Sequence, residues 1–109
     1  MAARGSPGGG LGFLDFALHG RSLTLAGYSM GTIPPGFLFV PFADVTSGNE
    51  THGSGRYLDL AIEPDGSVVL DFNRACHPSC AFSSAYPCPL PAAGNRLAVP
   101  VRAGERLPP

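Results

Sequence analysis

The sequence predicts an all-β domain: a small antiparallel sheet, sandwich or partly open barrel of about six strands, with one long Pro-rich loop. Three observations predict it. Short apolar runs alternate with period two, as strands with one covered face do. Gly and Pro make up about a quarter of the 109 residues and cluster between those runs, where turns belong. No stretch keeps a helical period for more than a turn or two.

Residues 1–10 are Gly-rich and carry little to bury, so they are expected to be a disordered tail. The abrupt start suggests that residues 11–103 are a single β domain, the C-terminal part of a longer one, with 104–109 as a second tail. Phe13 to Leu18 and Ser22 to Tyr28 then pair across a two-residue His19-Gly20 loop. That register stacks Phe16 on Leu23 and Leu14 on Leu25, and sets Asp15 against Thr24 on the opposite face. One apolar face and one mixed face suit a sheet covered on one side.

Gly31 to Gly36 reads as a turn region. Phe37 to Val40 is a continuous apolar run, which predicts a strand covered on both faces. Pro41 has no N–H for a ladder, so the strand ends there or lies at an edge. In Asp44-Val45-Thr46-Ser47-Gly48, side-chain to backbone bonds predict a turn in preference to an anion nest.

The most legible stretch is a hairpin. Tyr57 to Ile62 and Val68 to Asn73 flank the turn Glu63-Pro64-Asp65-Gly66-Ser67. Pro presets φ for the first turn position and Gly takes the left-handed one, which suits a three-residue loop with a bulge. Glu63 then pairs with Ser67. Ile62, Val68, Leu60, Leu70, Leu58 and Phe72 form one apolar layer, and Asp59 and Asp71 stand side by side on the other face. A two-residue turn would set Leu60 against Asp71 and mix the faces. Beyond Asn73 runs a long loop rich in Pro, whose Phe82, Tyr86 and Leu90 predict packing across the sheet. Leu97, Val99 and Val101 alternate as a last short strand.

Hydrophobic residues are 44% of the chain and charged ones 14%, with a net charge of -1. No basic face stands out, which argues against nucleic acid. No apolar stretch reaches membrane-spanning length and no signal-peptide core opens the chain. A cytoplasmic protein is expected. All seven basic residues are Arg, which with the many Ala, Gly and Pro suggests a GC-rich bacterial coding sequence. An unpaired sheet edge would permit an oligomer.

Two like charges across a sheet repel, so Asp59 and Asp71 need a wet face, an Arg such as Arg96 between them, a cation or a shared proton. Nothing else in the sequence assigns them catalytic roles. Cys76-His77-Pro78-Ser79-Cys80, with Cys88 following, holds soft ligands, but the second half lacks the paired knuckle of a zinc site. In a reducing cytosol the three cysteines do not imply a disulfide framework, and no cofactor is expected.

Certain residues occur in a specific order. They are Phe42-x-Asp44-x-Thr46-Ser47-Gly48-x-Glu50-Thr51, Gly55-Arg56-Tyr57-Leu58 and Leu70-Asp71-Phe72-Asn73-x-Ala75. Pro78-x-Cys80-Ala81-Phe82, Cys88-Pro89-Leu90-Pro91, Asn95-Arg96-Leu97 and Ala103-Gly104-Glu105 follow. This pattern, over roughly residues 37–106, resembles the uncharacterised prokaryotic family known as domain of unknown function 1684. The resemblance implies a mostly β domain, usually longer at its N-terminal side, with no established activity. It implies that Asp44, Thr46, Glu50, Arg56, Tyr57, Asp71, Asn73, Cys80, Cys88, Asn95 and Arg96 matter. His52 and the Cys76-His77 pair depart from the pattern, where Tyr and Tyr-Asn are expected, which counts further against zinc.

Two functions from different classes follow. In the first, a small anionic ligand binds between the polar face of the 56–73 hairpin and the 74–95 loop, held by Arg56 and Arg96 with Tyr57, Asp71 and Asn73. In the second, the domain is purely structural, and Asp71, Asn73, Asn95 and Arg96 pin the loop backbone. A thiol enzyme using Cys80 or Cys88 is a weaker alternative.

Overall fold

Among the described residues, six strands form two antiparallel sheets around one core: β1 (Ala2–Pro7), β2 (Phe13–Leu18), β3 (Arg21–Ala26), β4 (Phe37–Phe42), β5 (Arg56–Ala61) and β6 (Val68–Asp71). The first sheet has the order β3-β2-β1-β6, and the second pairs β4 with β5. The computed structural model describes residues 2–7, 13–28, 36–65, 67–78, 91 and 93–107. Among these the only helical pieces are the 3-10 turns Phe72–Arg74 and Ala93–Asn95. The fold is all-β, as the alternation predicts. The radius of gyration is 13.4 Å, close to the roughly 13 Å expected of one compact domain this long. No helix among the described residues is long and apolar enough to cross a membrane.

The β2–β3 hairpin has the expected register, with Leu14 opposite Leu25, Asp15 opposite Thr24 and Phe16 opposite Leu23. His19 and Gly20 have φ of 53° and 74°, the left-handed pair that a two-residue hairpin turn requires. Thr24 Oγ1 donates to Asp15 Oδ1 at 2.7 Å on the outer face, while Leu14, Phe16, Leu18 and Leu25 are buried inside.

The expected tail is a correction. Ala2–Pro7 is a strand that pairs with β2 on one side and β6 on the other. Ladder bonds come from the backbone, so a segment without an apolar pattern can still close the gap between two strands. The central hairpin is a second correction. Its turn holds, with Glu63 N–H donating to Ser67 O at 2.8 Å and Ile62 bridging Val68. Past that bridge the strands separate, β5 to β4 and β6 to β1. Asp59 therefore faces Phe39 and Asp71 faces Ala2, so the two carboxylates are not a cross-strand pair. Strand β6 stops at Asp71, whose side chain caps the following 3-10 turn.

Both strands still turn their apolar residues to the same core. Leu58, Leu60, Val68, Leu70 and Phe72 are buried, although Ile62, expected in that layer, is 40% exposed. Phe72 joins the sheets, with its ring 5.5 Å from Phe42 and 6.0 Å from Phe16. Strand β4 buries Val40 and Phe42 on one face, while on the other Phe39 and Pro41 are half-buried and Phe37 is exposed. It also continues through Pro41. Tyr57, opposite Pro41, directs its N–H and C=O to Cys76, so this ladder position needs no proline N–H.

The expected last strand is a strap instead. Leu97, Val99 and Val101 are buried, but among the described residues the segment's backbone pairing is limited to a parallel bridge at Arg96–Ala43 and a bond from Val45 N–H to Val99 O. Six strands are present among the described residues, and β1 supplies the one that 97–101 does not.

Candidate functional site

The strap is held by side chains. Arg56, at the start of β5, is 2% exposed. Its Nη1 donates to Ala103 O at 2.6 Å and Glu105 O at 3.2 Å, and Nη2 donates to Val101 O at 2.7 Å. Asp44 lies 3.7 Å from Nη2 and accepts the Val101 N–H at 2.5 Å. The same carboxylate accepts from Thr46 Oγ1 at 2.9 Å and Ser47 Oγ at 3.2 Å, and Thr51 Oγ1 lies 3.1 Å from Thr46 Oγ1. The Arg56 guanidinium also sits 5.3 Å from the Phe42 ring centroid. Burial pulls the Arg56 pKa below the usual arginine value, with Asp44 opposing it. Asp44, Thr46 and Arg56 thus form one buried node that ties the distant 101–105 strap to the start of β5.

Asn95 forms a second clasp. It accepts Ala26 N–H at 2.8 Å and donates to Ala26 O at 2.9 Å and Pro41 O at 2.7 Å. One buried carboxamide therefore closes the gap between the edges of β3 and β4.

Beside the node lies a recess of about 90 Å³ lined by Phe39, Pro41, Ser54, Gly55, Arg56, Tyr57, Pro78 and Pro91. It lies between the β4–β5 pair and the two described ends of the Pro-rich loop. Phe39 and Tyr57 stack on its wall with ring centroids 5.3 Å apart. Burial raises the Tyr57 pKa, with Cys76 and Asp59 adding to it. The Arg56 Nε is the one buried side-chain nitrogen or oxygen among the described residues without a hydrogen-bond partner.

Two histidines adjoin the recess. His77 Nε2 accepts the His52 N–H at 3.2 Å, and His77 N–H donates to Glu105 Oε1 at 2.6 Å. A nitrogen that accepts carries no proton, so His77 is neutral with its proton on Nδ1, 3.5 Å from Glu105 Oε1. Burial lowers the His77 pKa, against the pull of Glu105 and with the help of Arg56 and His52.

The remaining candidates lie elsewhere. Asp71 Oδ1 accepts from Asn73 N–H at 3.1 Å and Nδ2 at 3.0 Å. Asp71 lines a second recess of about 220 Å³ with Asp59, Glu63 and Arg74. Arg96 is exposed and pairs only through its backbone, so it neither joins Arg56 nor separates Asp59 from Asp71. Glu50 pairs with Arg102 at the surface at 3.2 Å. Cys80 and Cys88 lie outside the described residues, and Cys76 is free and exposed. No group of three or more His, Cys, Asp or Glu among the described residues is placed to hold a metal. Phe39, His52 and Ser54 were not read as site residues. Their roles come from packing between segments, which their own spacing does not signal.

The profile of the family described as "Protein of unknown function (DUF1684)" matches residues 6–106, further toward the N-terminus than the residue pattern reaches. Among solved structures, the chain is similar to an uncharacterised protein of Haloarcula marismortui determined in solution by NMR. That match has 40% identity and a TM-score of 0.74, and covers 87% of this chain and 54% of the other. The chain thus spans about half the length of that protein. Among curated proteins, none matches.

Proposed function

From the premise that the chain belongs to the DUF1684 family of proteins of unknown function, we propose that it is a ligand-binding β domain. The recess beside β5 takes the carboxylate-like end of a small molecule with an apolar body. One observation carries this reading: the recess opens beside the buried Arg56 cation, whose field favours an anionic end there. The Phe39–Tyr57 wall suits the apolar body. The raised Tyr57 pKa keeps its phenol protonated and able to donate. The volume of about 90 Å³ limits entry to the end of a ligand. Arg96, Asp71 and Asn73 have no part in this version of the site. We read the protein as cytoplasmic, in keeping with a free, exposed Cys76.

Titration with acetate and benzoate, followed by NMR, tests the reading. Saturable shifts at the Arg56 Nε–H and the Tyr57 amide are expected with both acids, and weaker ones with benzyl alcohol. If no resonance of residues 54–57 shifts saturably, the reading is wrong.

A second, purely structural reading is favoured by Asn95 and by the other donors of Arg56. Each of these holds backbone groups of distant segments. It predicts no saturable response to either acid.

A further inference from the structure

Ser54 brings a hydroxyl to the same recess. His52 Nδ1 lies 2.7 Å from Ser54 Oγ and accepts the Ser54 backbone N–H at 3.2 Å. A ring nitrogen that accepts an N–H carries no proton, so the hydroxyl donates to it and the ring proton sits on Nε2. This is the relation of a nucleophile to its base. The ring is oriented by these two Ser54 donors and by the His77 ring, 6.2 Å away and inclined at 60°.

The geometry points to Ser54 as a nucleophile toward small carboxylic esters, with His52 as its base. This rests on the reading of the recess as a ligand site, and the acid released is the ligand class proposed there. As Ser54 Oγ bonds to the ester carbon, its proton passes to His52 Nδ1. The bond from that carbon to the alcohol oxygen then breaks, and the departing alcohol takes the proton from His52. Water repeats the exchange, restoring the Ser54 hydroxyl and releasing the carboxylic acid.

A fluorophosphonate probe tests this on the full chain, because its P–F bond breaks as a serine oxygen bonds to phosphorus. Peptide mapping is expected to find the label on Ser54. Ser54→Ala abolishes labelling, and His52→Gln slows it by about a hundredfold, the lower end of the range for a general base. Circular dichroism checks that both variants are folded, and the wild-type map stands without them. Absence of label, or label on other residues alone, overturns the nucleophile. If benzoate still shifts Arg56 and Tyr57 in that case, the recess survives as a binding site. If neither response occurs, both readings fall.

Discussion

The guanidinium of Arg56 meets three carbonyls of the C-terminal strap and the carboxylate of Asp44. Removing one member of a buried ion pair leaves the other uncompensated. Arg56→Met is therefore expected to lose about 3–5 kcal/mol in urea unfolding. Arg56→Lys is expected to fall short of wild type as well, since an ammonium cannot reproduce the planar fork. Asn95→Ala leaves three backbone groups without partners and is expected to cost about 3 kcal/mol. Asn73→Ala removes only local bonds to Asp71, and its cost is expected to stay within about 1 kcal/mol. Equal losses in the two Asn variants would refute the clasp. His77 adds a pH dependence. Its folded pKa is lowered, so the unfolded chain takes up the proton first, near pH 6.5. The stability from neutral His77 is complete above that pH and is lost as pH falls toward the folded value. Melting temperatures between pH 7.5 and 5 are expected to fall less steeply in His77→Gln than in wild type.

At the scale of elements, turns were the most legible feature. The His19-Gly20 loop is as read, because its residues carry the φ preferences that define it, and the Glu63–Ser67 bond closes the central turn, whose Gly66 lies outside the described residues. His19 has φ of 53°, which Asn tolerates better than His. His19→Asn is expected to raise stability by up to about 1 kcal/mol in thermal unfolding. Gly55, with φ of 89°, passes so close to the Phe42 carbonyl that a Cβ there would collide with it, and Pro91 Cγ is 3.3 Å from the same point. Gly55→Ala is expected to cost about 2 kcal/mol or more. It also narrows the recess, so binding of benzoate is expected to weaken beyond the loss of stability. The strands beyond the Glu63–Ser67 turn were not legible in their pairing. Leu58, Leu60, Leu70 and Phe72 face one core whether β5 and β6 pair with each other or part.

At the scale of the molecule, β1 makes the first sheet continuous, because it separates β2 from β6 and pairs with both. Deleting residues 1–7 uncovers two strand edges at once, and exposed edges invite pairing between chains. Size-exclusion chromatography is expected to show earlier-eluting associated species for the deletion variant at concentrations where the full chain elutes as a single later peak. A monomeric, folded deletion variant would show that β1 is dispensable.

By itself the sequence determined the β class, the register of the first hairpin, the central turn, and most of the residues that enter the core. Alternation and turn chemistry are local properties, carried by side chains within a few residues of one another. Only the tertiary structure decided which strands pair, that Ala2–Pro7 is one of them, and what Arg56 and Asn95 do. Their partners are backbone groups 45 to 69 residues away. Every residue offers those same groups, so no side-chain pattern marks the ones that will be chosen.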